Sequence, residues 1–204
     1  FIYEWYPELV KKYFRKQWIP YRKHPKIEAI YWRTFIDDRP QEVAERQRDG
    51  DREWDSIEWK WHKWSITTLV ERLSSYVQAR IHGDRKAHNV TKWIQEMLWH
   101  LPKSKRKTLT VDNGKEFADH MTITCITNMD VFFAHPHSPW HKPIIEHANK
   151  LFRRFIPKGS CIKSITQEQL DTYVYILNNK PRKRLHYLTP TQVFLNPQLI
   201  CILN

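Results

Sequence analysis

Residues 108–114 read TLTVDNG: a short β-prone run, Thr108 to Val111, closed by Asp112 and then by the turn-forming pair Asn113-Gly114. An acid at the end of a strand, where the chain turns, has its carboxylate on an exposed edge. Upstream lie the basic turn KSKRK (103–107) and the stretch AHNVTKWIQEMLWHL (87–101). There Val90, Trp93, Ile94, Met97, Leu98 and Leu101 recur on one face, which predicts an amphipathic helix. Earlier still come three strand-like runs, REWDSIEW (52–59), WSITTLV (64–70) and SSYVQARI (74–81), the last two separated by the polar ERL (71–73). They predict an antiparallel meander.

Downstream of Gly114 the reading is a short helix from Lys115, the strand VFFA (131–134), the irregular HPHSPW (135–140) and a helix from about Lys142 to Phe155. Ile144, Ala148, Leu151, Phe152 and Phe155 line that helix's buried face. A further helix covers about Gln167 to Leu177, capped by Thr166 with Gln169. Thr189, Pro190 and Gln192 start the last one. Residues Pro7 to Trp18 have helical spacing, and WIPYRKHPKIEA (18–29) is a basic, proline-broken linker or DNA-contacting arm. The order of elements predicts an α/β fold, with three antiparallel strands and then two parallel strands in a mixed sheet flanked by helices.

Composition narrows the function. The chain has 204 residues, 34 Lys and Arg against 22 Asp and Glu, a net charge of +12 and a pI near 9.6. That excess favours a polyanionic partner, nucleic acid first. Aromatics at 14 % support a packed core. Four glycines, Gly50, Gly83, Gly114 and Gly159, cannot build a phosphate-cradling loop, which argues against a P-loop or dinucleotide-binding domain. Cys125, Cys161 and Cys201 have neither disulfide-framework nor zinc spacing and point to a reducing compartment. The apolar runs are too short to span a bilayer and no secretory signal is visible. The chain begins at Phe1 rather than Met, which points to an excerpt or a trimmed product.

Phosphoryl transfer on DNA uses two divalent cations about 4 Å apart, held by carboxylates that converge from separate elements. Asp55 on the first strand, Asp112 and Glu146 are the candidates. Glu146 lies opposite the apolar stripe of its helix and shares that polar face with Asn149 and Arg153, at i+3 and i+7. A carboxylate for metal and a guanidinium for phosphate on one face suit this chemistry. Taken singly, each acid reads first as a turn former or a solvated charge, and the case rests on all three together.

From about Ile36 to Pro197 the chain resembles the insertion-sequence-thirty family of bacterial transposases, whose catalytic domains are RNase H-like D-D-E enzymes. IDDRPQEVAERQRDGDREWD (36–55) is similar to the family's approach to its first Asp, here Asp55. TLTVDNGKEFADH (108–120) resembles the block with the second Asp, Asp112, and HPHSPWHKPIIEHANKLFRRFIPKG (135–159) the block with Glu146. LNNKPRKRLHYLTPTQVF (177–194) is similar to the C-terminal signature. The 33 residues between Asp112 and Glu146, 113 to 145, match the family's spacing. The resemblance implies DNA cleavage and strand transfer with two Mg²⁺ or Mn²⁺ ions on Asp55, Asp112 and Glu146. It also implies DNA contacts from Asn149, Lys150, Arg153, Arg154, Lys158, Lys180, Arg182 and Lys183, and supporting roles for Asn113 and Glu53. Glu53 reads equally as a plain surface carboxylate. Implied partners are transposon ends, target DNA and further copies of the chain, in a bacterial cytoplasm at the nucleoid, with no membrane. Residues 1–45 would be the remnant of an N-terminal DNA-binding region and linker, and 46–204 the catalytic core.

The chain departs from the family at Trp54 and Trp59, where glycine is usual, and at residues 143–147, where Pro-Ile-Ile-Glu-His replaces Gly-Thr-Asn-Glu-Asn. Strand alternation points Trp54 away from Asp55. Two other readings stand beside the transposase: a catalytically impaired DNA-binding derivative, and a different RNase H-like nuclease. Trp59, Trp61 and Trp64, among Lys60, His62 and Lys63, could stack bases or pack on a neighbouring element. His135, His137, His141 and His147 crowd the Glu146 block without the cysteine pairs of a structural zinc site.

Overall fold

One six-stranded sheet organises the chain: β1 (Thr34–Phe35), β2 (Asp51–Glu58), β3 (Ser65–Glu71), β4 (Val77–His82), β5 (Thr108–Val111) and β6 (Asp130–Phe133), in the order β1-β6-β5-β2-β3-β4. This computed structural model describes residues 30, 32–58, 64–83, 86–136, 138–157, 160 and 165–203. The expected helix at 7–18, the basic segment 18–29, residues 59–63 of the aromatic and basic stretch, His137 and Lys158 lie outside the described residues.

β2, β3 and β4 form the predicted antiparallel meander, and β5 and β6 then add parallel strands beside β2. Parallel neighbours need crossovers, which α2 (Ala87–Leu98) and α3 (His120–Thr127) supply. α4 (Pro143–Phe155), α5 (Gln167–Asn178), α6 (Pro190–Leu195) and α7 (Gln198–Leu203) complete the chain, and a five-residue α1 (Gln41–Glu45) precedes β2. Both predicted capping boxes form, Thr166 with Gln169 and Thr189 with Gln192.

The two-residue period of β2 divides its side chains between two apolar layers. Trp54 turns to the layer under α2 and α3, where it is fully buried and meets Phe117 edge-on at 4.6 Å. Ile57 turns to the other layer, with Ile66, Val70, Ile145 and Phe152 under α4 and α5. Asp55, between Glu53 and Ile57 in the alternation, therefore faces α4.

The structure departs from the sequence reading at three places. The sheet takes in Thr34 and Phe35, paired in parallel with Phe132 and Phe133, upstream of the domain boundary expected at residue 46. Val43 of α1 is likewise buried. Second, Glu71, Arg72 and Leu73, read as a polar connector, are buried. The turn exposes backbone donors that need acceptors, and the Glu71 carboxylate receives the N–H groups of Leu73 (3.1 Å) and Ser74 (2.7 Å). Third, Glu53 is not a surface carboxylate. It is fully buried, paired with the Arg72 guanidinium, and accepts the Ile145 N–H at 2.9 Å. It pins the first turn of α4 to β2.

Candidate active site

The register of β2 against β5 brings the two aspartates together. Asp51 pairs with Thr108 and Glu53 with Thr110. The same register carried two residues further sets Asp55 beside Asp112, the first residue after β5. Asp112 Oδ1 accepts the Gly114 N–H at 2.9 Å, the local turn that Asp-Asn-Gly predicts. Asn113 donates to the Ala134 carbonyl and accepts from Arg33 Nη1 at 2.7 Å. It ties the ends of β5 and β6 together and so steadies the loop that carries Asp112.

Asp55 Oδ2 accepts a hydrogen bond from Asn149 Nδ2 at 2.7 Å, and Asn149 Oδ1 accepts one from Thr68 Oγ1 at 3.0 Å. Asn149 thus fixes the rotamer of Asp55 from within the cleft. Lys142 was not anticipated. Its buried ammonium lies 3.6 Å from Asp55 Oδ1 and 3.7 Å from Asp112 Oδ2, and donates to the Trp54 carbonyl at 3.2 Å. Burial pushes the Asp55 carboxyl above its ordinary pKa; Lys142 pulls it down and Asp112 pushes it up. The signal that could have found Lys142 is its position four residues before Glu146, one helical turn, directly ahead of the proline that starts α4.

Glu146 sits in the first turn of α4, where the helix dipole favours a carboxylate. It lines an open cleft of about 290 Å³ together with Asp55, Ser56, Ile57, Asn149, Lys150 and Arg153. The predicted common face of Glu146, Asn149 and Arg153 is thus realised. Asp55 is the shared member, joined to Asp112 through Lys142 and to Glu146 across the cleft. Among the described residues, no three His, Cys, Asp or Glu side chains gather closely enough to enclose an ion. The donors present are nonetheless hard carboxylate oxygens, and a cation, the Lys142 ammonium, already lies between two of them. This set suits a divalent ion of the Mg²⁺ or Mn²⁺ type.

The remaining candidates are dispersed. Arg154 and Lys180 are exposed and line neither this cleft nor the cavity on the far flank of α4, whereas Arg182 and Lys183 line that second cavity. Burial lowers the pKa of Arg153. The histidines form no metal-holding group among the described residues: the His135 ring pairs with Asp37, and the His135 backbone N–H donates to His141 Nδ1 at 3.3 Å.

The transposase of insertion sequence IS4351 from Bacteroides fragilis is 39% identical over 189 residues, 90% of this chain and 57% of that protein. Transposase InsI of IS30A from Escherichia coli K12 is 35% identical over 161 residues, 78% of this chain and 42% of that protein. The chain belongs to the IS30 family. It spans about half the length of the curated relatives it matches. No protein-family model matches the chain. In three dimensions this IS30-family chain has the fold of the catalytic core domain of BIV integrase, at TM-score 0.58 and 21% identity, covering 74% of this chain and 96% of that one. The RNase H-like sheet expected from the sequence is the sheet observed, with β1 added at its edge.

Proposed function

We propose that this IS30-family chain catalyses metal-dependent DNA strand cleavage and strand transfer, as a D-D-E polynucleotidyl transferase using Asp55, Asp112 and Glu146. The observation that carries the reading is the placement of the acids. Asp55 and Asp112 are adjacent across β2 and β5, and Glu146 overlooks Asp55 from α4. Two Mg²⁺ or Mn²⁺ ions held by these carboxylates would supply charge stabilisation at the entering and leaving oxygens.

The chain's own residues do the rest. Asn149 and Thr68 hold Asp55 in one rotamer, so its other oxygen, beside Lys142, keeps its direction. Lys142 occupies the position between the two aspartates before ligands arrive and offsets their repulsion. Lys150 and Arg153, on the same cleft as Glu146, offer cations to the phosphates flanking the scissile bond. An oxygen nucleophile, water or a 3′-hydroxyl, attacks phosphorus in line; the P–O bond opposite breaks and its oxygen leaves with the electron pair. Arg154, exposed on α4, and Lys158 are further candidates for phosphate contacts. The substrates are transposon ends and target DNA, which calls for more than one copy of the chain at a junction. No described helix is long and apolar enough to cross a membrane, and the reading places the protein on DNA in a bacterial cytoplasm. The reading as a non-catalytic DNA-binding derivative is not favoured, because all three acids remain around one site.

The test is nicking of supercoiled plasmid with Mn²⁺. The parent chain cuts, and Asp55→Asn, Asp112→Asn and Glu146→Gln each slow cutting on the order of 100-fold or more. Equal cutting by all four proteins would remove the assignment.

A further inference from the structure

A second cavity, of about 410 Å³, lies on the other flank of α4. Residues 143, 144, 147 and 148 of the helix line it, whereas Glu146, Asn149, Lys150 and Arg153 line the carboxylate cleft. At 3.6 residues per turn these two sets project in nearly opposite directions. The cations around the cavity come from two separate segments, Arg46 after α1 and Arg182, Lys183 and Arg184 in the turn before α6, while burial and then the charge of Arg182 lower the pKa of His147, which lines the cavity from α4. Val70, Val77 and Ile144 give it an apolar floor.

Among the described residues no carboxylate lines this cavity. The nearby acids are used inside the protein, Glu53 by Arg72 and the Ile145 N–H, Glu71 by the backbone of the β3–β4 turn. The guanidiniums are held in place by neutral groups. Arg184 Nη2 donates to the Leu73 carbonyl (2.8 Å) and to Ser75 Oγ (2.7 Å), and Arg182 Nη2 to the Leu177 carbonyl (3.1 Å). Arg182 Nε is buried with no hydrogen-bond partner. Burial lowers the pKa of Arg182 and of Arg184, and Arg46 lowers Arg184 further by repulsion. Fixed like charges around one concavity, with no carboxylate in its described lining, suit an anion. Guanidiniums held in a fixed fork match phosphate best.

We propose that this cavity seats a backbone phosphate of bound DNA, with the adjoining sugar against Val70, Val77 and Ile144. The phosphate accepts from Arg182 and from the cations of Arg46 and Lys183. The cavity and the catalytic cleft then grip one DNA on the two flanks of α4, which rests on the function proposed above. The net charge of +12 favours this polyanion over an acidic peptide.

The test is fluorescence anisotropy of a labelled DNA duplex over a range of salt, with the parent, with Arg46→Gln/Lys183→Gln and with Lys183→Glu. Among the described residues neither the Arg46 nor the Lys183 side chain makes a hydrogen bond or ion pair, and unchanged melting temperatures confirm that the variants are folded. The double variant should bind DNA roughly tenfold more weakly, with a salt slope shallower by about 1. Unchanged affinity and slope overturn the proposal. So does a result in which inorganic phosphate or a nucleoside monophosphate stabilises the parent but not the variant while DNA binding is unaffected, since the occupant would then be a free small anion. Mn²⁺ titration of the same parent reports on the catalytic reading separately. Metal binding with an unaltered DNA slope sinks the cavity alone, and a weakened slope without metal binding sinks the catalytic reading alone.

Discussion

Glu53→Gln breaks a buried ion pair while keeping the side chain's shape. Glu53 is fully buried, and the Arg72 side chain is 3% exposed. In the variant the Arg72 charge loses its counter-ion and keeps the Val43 carbonyl at 3.1 Å, the Ala44 carbonyl at 3.4 Å and a neutral amide oxygen. Removing one partner of a buried pair costs about 3–5 kcal/mol. The two remaining carbonyls place the loss at the lower end, about 3 kcal/mol, which for a chain of this size lowers Tm by roughly 6–12 °C. Arg72→Met strands the carboxylate instead and should cost a similar amount. The double variant removes both charges, so its loss should fall short of the sum by about 2 kcal/mol or more. Urea unfolding at neutral pH, followed by tryptophan fluorescence and by circular dichroism, gives all three values. Single losses below about 1 kcal/mol that simply add in the double variant would refute the reasoning. They would also refute the view that Glu53 anchors α4, and with it Glu146, on the strand of Asp55.

Other consequences are open to measurement. Burial, and next the charge of Arg80, lower the His82 pKa from 6.5 to about 4, and its ring stacks on Trp93 at 3.7 Å. The unfolded chain therefore takes up this proton before the folded one, so the stability His82 contributes is present above pH 6.5 and lost as pH falls towards 4. The loss amounts to roughly 3 kcal/mol, and His82→Phe should flatten the stability profile in that window; parallel profiles for parent and variant would contradict the assignment. Asn149→Ala, which frees Asp55 to rotate, should weaken Mn²⁺ binding about 10–100-fold in a calorimetric titration, and wild-type affinity would show that Asp55 needs no support. Lys142→Met removes a cation that competes for the aspartates, so Mn²⁺ should bind at least roughly tenfold more tightly; weaker binding would mean that Lys142 builds the site rather than occupying it.

Much of this architecture is legible in local pattern. The 3.6-residue period of α2 and α4, the alternation in β2 and the two capping boxes are short-range features, and each appears where the sequence places it. What escaped is tertiary. β1 has two residues, too few to show a period, and exists because Phe132 and Phe133 offer a parallel edge. Glu53, Glu71 and Arg72 look like surface charges in one dimension, since nothing local reveals the partners that make their burial tolerable. Asp55, Asp112 and Glu146 could be chosen from spacing, yet their grouping depends on the β2–β5 register. Lys142 and the hydrogen bond from Asn149 to Asp55 depend on that same contact between α4 and the sheet, so the site's electrostatics were hidden although its acids were not.

The central claim is tested most directly by calorimetric titration of Mn²⁺ into the parent chain and into Asp112→Asn, each alone and with a DNA duplex. The account predicts carboxylate-dependent binding by the parent, strengthened by DNA, and a sharp loss in Asp112→Asn with the fold intact. Equal binding by the two proteins, or none by either even with DNA, would contradict a metal site built on Asp55, Asp112 and Glu146.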